Sequence, residues 1–153
     1  MADPTDAQQT ADAVAAHMYA RDRASKAMGM RIVAMSEGAA FLEMTVRDDM
    51  LNGFDICHGG FITTLADSAF AFACNSAGDV TVAAGLTVDF LLPAKAGDVL
   101  TARAFEVVNA GRSGLYDITV TNQRGEQVAL VRGRAHKLKG QRVLPGDGGG
   151  APH

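Results

Sequence analysis

Apolar positions in this chain follow two rhythms. Between residues 5 and 28 they recur one helical turn apart. Val14 and Met18, then Ala15 and Tyr19, stand at i, i+4 with Arg, Asp and Lys between them. That spacing predicts an amphipathic helix, with Gly29 as its stop. The rhythm then changes to two. "MRIVAMSEGAAFLEMTVRDDM" reads as two short strands around a turn at Ser36-Glu37-Gly38. "RDDMLNGFDICHGG" is rich in turn formers and is expected to be a loop. Residues 60 to 76 break the pattern: they are apolar or small on nearly every side, which predicts a buried helix.

The remainder is a strand ladder. Val82, Ala84, Leu86, Val88, Phe90 and Leu92 alternate with Thr81, Ala83, Gly85, Thr87 and Asp89, the period of an extended chain. After a turn at "PAKAGD" come "VLTARAFEVVN", a turn at "NAGRSG", "LYDITVTNQ", a hairpin at "QRGEQ" and a last strand "VALVRGRAHKL". Residues 141–153 are expected to be a flexible tail, leaving one domain over 1–140. Short links between successive strands favour antiparallel pairing. A sheet of about six strands needs cover on one face, and the apolar helix needs cover all round. The expected fold is therefore α+β, with the sheet wrapped around that helix.

Composition narrows the function. The 153 residues suit a single core, and 48% hydrophobic with 20% charged residues is an ordinary balance for a globular chain. A net charge of -3 gives no reason to expect nucleic acid as a partner. No apolar run reaches the roughly 18 residues of a membrane span, so no membrane is expected. The start, "MADPTDAQQTADA", lacks the order of a secretory signal. Cys57 and Cys74 are too few for a disulfide framework, so a cytoplasmic setting is expected. The histidines at 17, 58, 136 and 153 have no metal-ligand spacing, and no metal is expected.

One carboxylate, Asp67, sits in the middle of the apolar helix. It could lie on a thin polar stripe with Thr63, Thr64 and Ser68. Alternatively, burial holds it under the tension typical of catalytic acids and bases. The preceding His58-Gly59-Gly60 favours the second reading. Glycines at a helix mouth admit close approach, and free N–H groups there can hold a developing oxyanion. His58 stands where it can orient a carbonyl, and Cys57 beside it is expected to be an inert thiol. Gly59 and Asp67 are eight residues apart, roughly 12 Å along one helix. If both serve one carbonyl, they come from different copies of the chain, across a two-fold interface.

Asn52, His58-Gly59-Gly60 and Asp67 form the pattern N-x5-HGG-x6-D. With "TVDFLLPAKAGDVLTARA", "GRSGLYDITVTNQRGEQVALVRGRAHKL" and "MYARDRASKAMGMRI" in the same order, the chain resembles the hotdog-fold acyl-CoA thioesterases of the PaaI type, over roughly residues 15 to 138. The resemblance implies a hotdog fold. It also implies hydrolysis of a coenzyme A thioester, with phenylacetyl-CoA or its hydroxylated form as the expected substrate. Asp67 would be the catalytic carboxylate, as general base (which we favour) or as nucleophile. The Gly59 N–H would polarise the carbonyl, His58 and Asn52 would position thioester and water, and Ser68 would help hold the water. Coenzyme A would enter as part of the substrate, with no separate cofactor. Its nucleotide would lie against Asn109, Gly111, Arg112, Ser113, Gly114, Arg134 and Lys137. The assembly would be a homodimer with shared sites, paired into a tetramer.

Two alternatives remain at this stage. Hotdog dehydratases and hydratases carry a His-Phe-Pro-type loop, where this chain has "CHGG". An acyl-CoA-binding module without catalysis would be expected to append a DNA-binding helix pair, and a single N-terminal helix is too little for one.

Overall fold

The computed structural model describes residues 4–146. Its elements run α1 (Pro4–Arg21), α2 (Arg23–Ala27), β1 (Arg31–Ser36), β2 (Ala39–Thr45), α3 (Gly59–Asn75), β3 (Asp79–Phe90), β4 (Val99–Ala110), β5 (Ser113–Thr121) and β6 (Gln127–Arg142), with a short 3-10 turn at Asp48–Met50. The expected N-terminal helix is two helices. Asp22 leaves the helical region, and its carboxylate caps α2 by accepting from the Ser25 N–H at 2.9 Å. Gly29, with φ +69°, ends the pair as expected. The boundary expected at residue 141 falls inside β6, which continues to Arg142. That side chain pairs with Asp79 at 2.6 Å, and Val143 and Leu144 pack on the core. Residues 147–153 of the expected tail lie outside the described residues.

The sheet has six strands, all pairings antiparallel, in the order β1-β2-β4-β5-β6-β3. It curls around α3, which contacts every strand. Small residues on the inner face make this possible: Ala40, Ala102, Ala104, Ala129 and Ala135 are all buried there. They leave room for Leu65, Phe70 and Phe72 of the helix, each fully buried. At Gly133 of β6 a Cβ would lie 2.9 Å from the Phe70 ring. This is the hotdog arrangement expected from the pattern.

Two details differ from the simple ladder. β3 and β4 are consecutive but do not pair; β3 lies at the sheet edge beside β6. The register also shifts between Ala83 and Gly85, and a bulge reverses which side chains face inward. Before it Thr81 is buried and Val82 is 44% exposed, while after it Leu86 and Val88 pack on the core. Asn75, at the end of α3, holds this irregular strand. Its side-chain amide donates to Thr81 O at 2.9 Å, and its Oδ1 accepts from Thr81 N at 2.8 Å.

Candidate active site

The loop before α3 is a hydrogen-bonded hook. Asn52 N–H donates to Ile56 O, Cys57 N–H to Ala94 O and His58 N–H to Met50 O, all within 2.7–2.8 Å. Asn52 Oδ1 accepts from the N–H groups of Phe54 at 2.9 Å and Ile56 at 3.4 Å, an Asx turn. Asp55 completes the turn at φ +59°, a left-handed conformation that a bulkier side chain would resist. The hook therefore occupies the Asn52 carbonyl oxygen, leaving its amide hydrogens as the side chain's contribution to any ligand. It also turns Phe54 outward, 86% exposed.

His58 is the N-cap of α3. Its Nδ1 accepts from the Gly60 N–H at 2.9 Å, so the neutral ring carries its proton on Nε2. Phe61 N–H is satisfied by His58 O at 3.0 Å. The Gly59 N–H, by contrast, has no partner among the described residues. A free donor at the positive end of a 17-residue helix is suited to an oxyanion. The ring of Phe90, from the end of β3, lies directly against Gly59: a Cβ there would come within 2.8 Å of its Cζ. Phe90 was not singled out by sequence. The signal was "FLL" at 90–92, an apolar run that continues past the end of its strand.

Asp67 lies two turns further along α3, outside the buried set of the helix. It is half-buried and makes no hydrogen bond or ion pair among the described residues. Burial raises its carboxyl above the ordinary aspartate value of 3.8. The neighbours of the polar stripe do not relieve it. Thr63 and Thr64 hydroxyls donate to the carbonyls of Gly59 and Gly60, each at 2.8 Å. Ser68 meets Ser25 Oγ at 2.9 Å, and Ser25 in turn donates to Asp22 at 2.6 Å. Ser68 thus faces α2 within the same chain. Cys57 is buried and its thiol is pushed up to about 11, in line with an inert role.

The residues expected on the nucleotide side fall into two groups on opposite faces of the sheet. Asn109, Arg112, Ser113, Gly114 and Lys137 line an inner cavity of about 260 Å³ near the C-terminal end of α3. Arg134, with Ser113 and Gly114 again, lines an outer depression of about 240 Å³ whose walls are mostly apolar. Gly111 lines neither and takes φ +63° in the hairpin turn. Lys137 is paired with Asp79 at 3.4 Å, whereas Arg112 and Arg134 have no ion-pair partner among the described residues. Neither Asp67 nor Gly59 lines either cavity. No cluster of three or more metal-binding side chains gathers among the described residues, and no helix is long and apolar enough to cross a membrane.

Comparison with known proteins bears on this arrangement. Residues 54–129 match the thioesterase superfamily. The chain is 49% identical over 123 residues to acyl-coenzyme A thioesterase PaaI of Escherichia coli, covering 80% of this chain and 88% of that one. The solved structure of the E. coli PaaI protein from the phenylacetic acid degradation operon superposes with a TM-score of 0.84 at 46% identity, covering 86% of this chain and 95% of that one. A Streptococcus mutans protein solved with acetyl CoA superposes with a TM-score of 0.69 at 28% identity, covering 71% of this chain and 88% of that one.

Proposed function

Because the chain belongs to the thioesterase superfamily and is an acyl-CoA thioester hydrolase, we propose that Asp67 and Gly59, from two different subunits, form its catalytic centre. The observation that carries this reading is a pair of groups on one helix that are unsatisfied among the described residues: a half-buried carboxylate without a donor, and a helix-mouth N–H without an acceptor. Each lacks what a thioester and its attacking water supply. Separated by roughly 12 Å along α3, they cannot meet in one chain. A second α3 running antiparallel, with its two-fold axis level with Thr63, brings Gly59 of the partner subunit level with Asp67. The β3 edge supports such pairing, since Val82, Phe90, Leu91 and Leu92 are exposed there.

In the reaction, Asp67 acts as general base. A water oxygen adds to the thioester carbonyl carbon while one of its protons passes to the Asp67 carboxylate. The carbonyl π pair moves onto oxygen, where the N–H of Gly59 of the partner subunit stabilises it. Collapse expels the coenzyme A thiolate, which takes the proton back from Asp67. His58 Nε2–H and the Asn52 amide are donors beside the carbonyl site. The raised proton affinity of Asp67 favours general base over nucleophile. The reaction so written needs no metal or cofactor.

We place the coenzyme A phosphates on Arg112 and Arg134, the two cations of the expected set that have no ion-pair partner among the described residues. Aryl acyl groups such as phenylacetyl are the favoured substrates. The similarity to the E. coli protein of the phenylacetic acid degradation operon supports this, as do the Phe90 ring at Gly59 and the edge-to-face pair of His58 and Phe61. Two unpaired, buried cysteines fit a cytoplasmic protein, and a pair of dimers is the expected assembly.

Subunit mixing tests the shared site. Asp67→Asn and Gly59→Val should each be folded and nearly inactive. A random mixture should recover up to about a quarter of wild-type activity, because half the dimers are mixed and each holds one intact site. No recovery, with exchange confirmed by mass spectrometry, would put acid and donor in separate functions.

A further inference from the structure

A water that attacks a carbonyl must point a lone pair at the carbon and both hydrogens away from it. Two acceptors in fixed positions achieve that orientation. Asp67 is one. The hydroxyls near it are Thr63, Thr64 and Ser68, and each has a single proton, so where that proton goes decides what the oxygen can offer. Thr64 Oγ1 donates to Gly60 O at 2.8 Å, which leaves only lone pairs towards solvent. Ser25, 1% exposed, donates to Asp22, so Ser68 must donate to Ser25 and is turned towards α2.

Position separates the remaining two. At about 100° per residue, Gly60, Thr64, Asp67 and Ala71 fall within a band of about 60°, and all four are outside the buried set of α3. Thr63 lies on the other side of Asp67, towards the buried Phe70. Helical side chains lean towards the N-terminus, so the Asp67 carboxylate overlies the turn that holds Thr64. Residues three apart are neighbours with about 5–6 Å between their Cβ atoms. Thr64 and Asp67 nevertheless make no bond to each other, because neither has a proton for the other. Two facing acceptors need a donor between them, and a water supplies two.

We propose that Thr64 is the second acceptor for the attacking water: its Oγ1 holds the hydrogen that stays on the nucleophile, while Asp67 takes the one that leaves. This rests on Asp67 as general base and adds a positioning residue to it. The transferred proton ends on the coenzyme A thiol; the one held by Thr64 remains on the carboxyl oxygen of the acid product until it ionises in water.

Hydrolysis of phenylacetyl-CoA and of a straight-chain acyl-CoA, followed by thiol release on the full chain, tests this. Thr64→Val keeps the size of the side chain and removes the acceptor. It should lower kcat about tenfold or more with KM nearly unchanged, the pattern of an interaction made only in the transition state. Thr64→Ser should restore most of the rate, and Thr63→Val should behave as wild type. If Thr64→Val keeps its kcat while Asp67→Asn loses it, Thr64 is not the acceptor and the general base stands. If Thr64→Ser is as slow as Thr64→Val, or if the loss tracks a fall in Tm, the effect is packing and the proposal fails. An active Asp67→Asn would remove both readings.

Discussion

Asp67 is held in a state that folding alone would not choose. Its carboxyl is raised by burial and has no donor among the described residues to offset it. Between the unfolded value, near 3.8, and the raised native one, the folded protein binds more protons than the unfolded. Stability therefore falls as pH rises through that window, and the penalty is complete above it. Asp67→Asn should accordingly raise Tm by about a few degrees at neutral pH while removing activity. The advantage should shrink as pH is lowered towards the unfolded value. Thermal melts of both proteins across pH check this; an Asn variant less stable than wild type at neutral pH would mean that the carboxylate has a stabilising partner.

At the level of elements, the contact between α3 and β6 depends on a missing side chain. Gly133 lets the Phe70 ring lie on the strand, with Tyr116 tilted against it at 5.4 Å between centroids. An added methyl would have to move a fully buried ring. Gly133→Ala should cost about 1–3 kcal/mol, the usual range for overpacking a core, as measured by denaturant melts. Asn75 is the other joint. Replacing it by Leu would strand the N–H and C=O of Thr81, both buried against α3. Neither joint could be read from spacing. A glycine in an alternating strand and an asparagine near a helix end are both common, and what marks these two is what they touch across the fold.

The molecule as a whole is half of the proposed site. The two cavities described above lie around the hairpin of β4 and β5 and the end of α3, and neither is lined by Asp67. The β3 edge and the open face of α3 carry the groups that remain unsatisfied. Charging the edge should therefore act on assembly and activity together. Val82→Lys should shift light scattering towards monomer and lower activity in proportion. A fully active monomer would overturn the shared-site reading, and an inactive variant of unchanged mass would show that Val82 is outside the interface.

What the sequence determined by itself was local in its physics. The change from a period near four to a period of two located the helices and strands, to within a residue or two for α3. Glycines at 29 and 111 stood where the chain turns with positive φ. The spacing of Gly59 and Asp67 sets them roughly 12 Å apart along one helix, so a site that used both would need two chains, because helical rise is the same in every context. What only the tertiary structure decided was which groups meet. It put β3 at an edge and reversed its inner face at a bulge. It laid Phe90 on Gly59, turned Ser68 to Ser25, and paired Lys137 with Asp79 while leaving Arg112 and Arg134 without an ion pair among the described residues. A hydroxyl's one proton and a cation's one partner are settled by competition among neighbours brought together from distant parts of the chain, and no periodicity along the chain records the outcome of that competition.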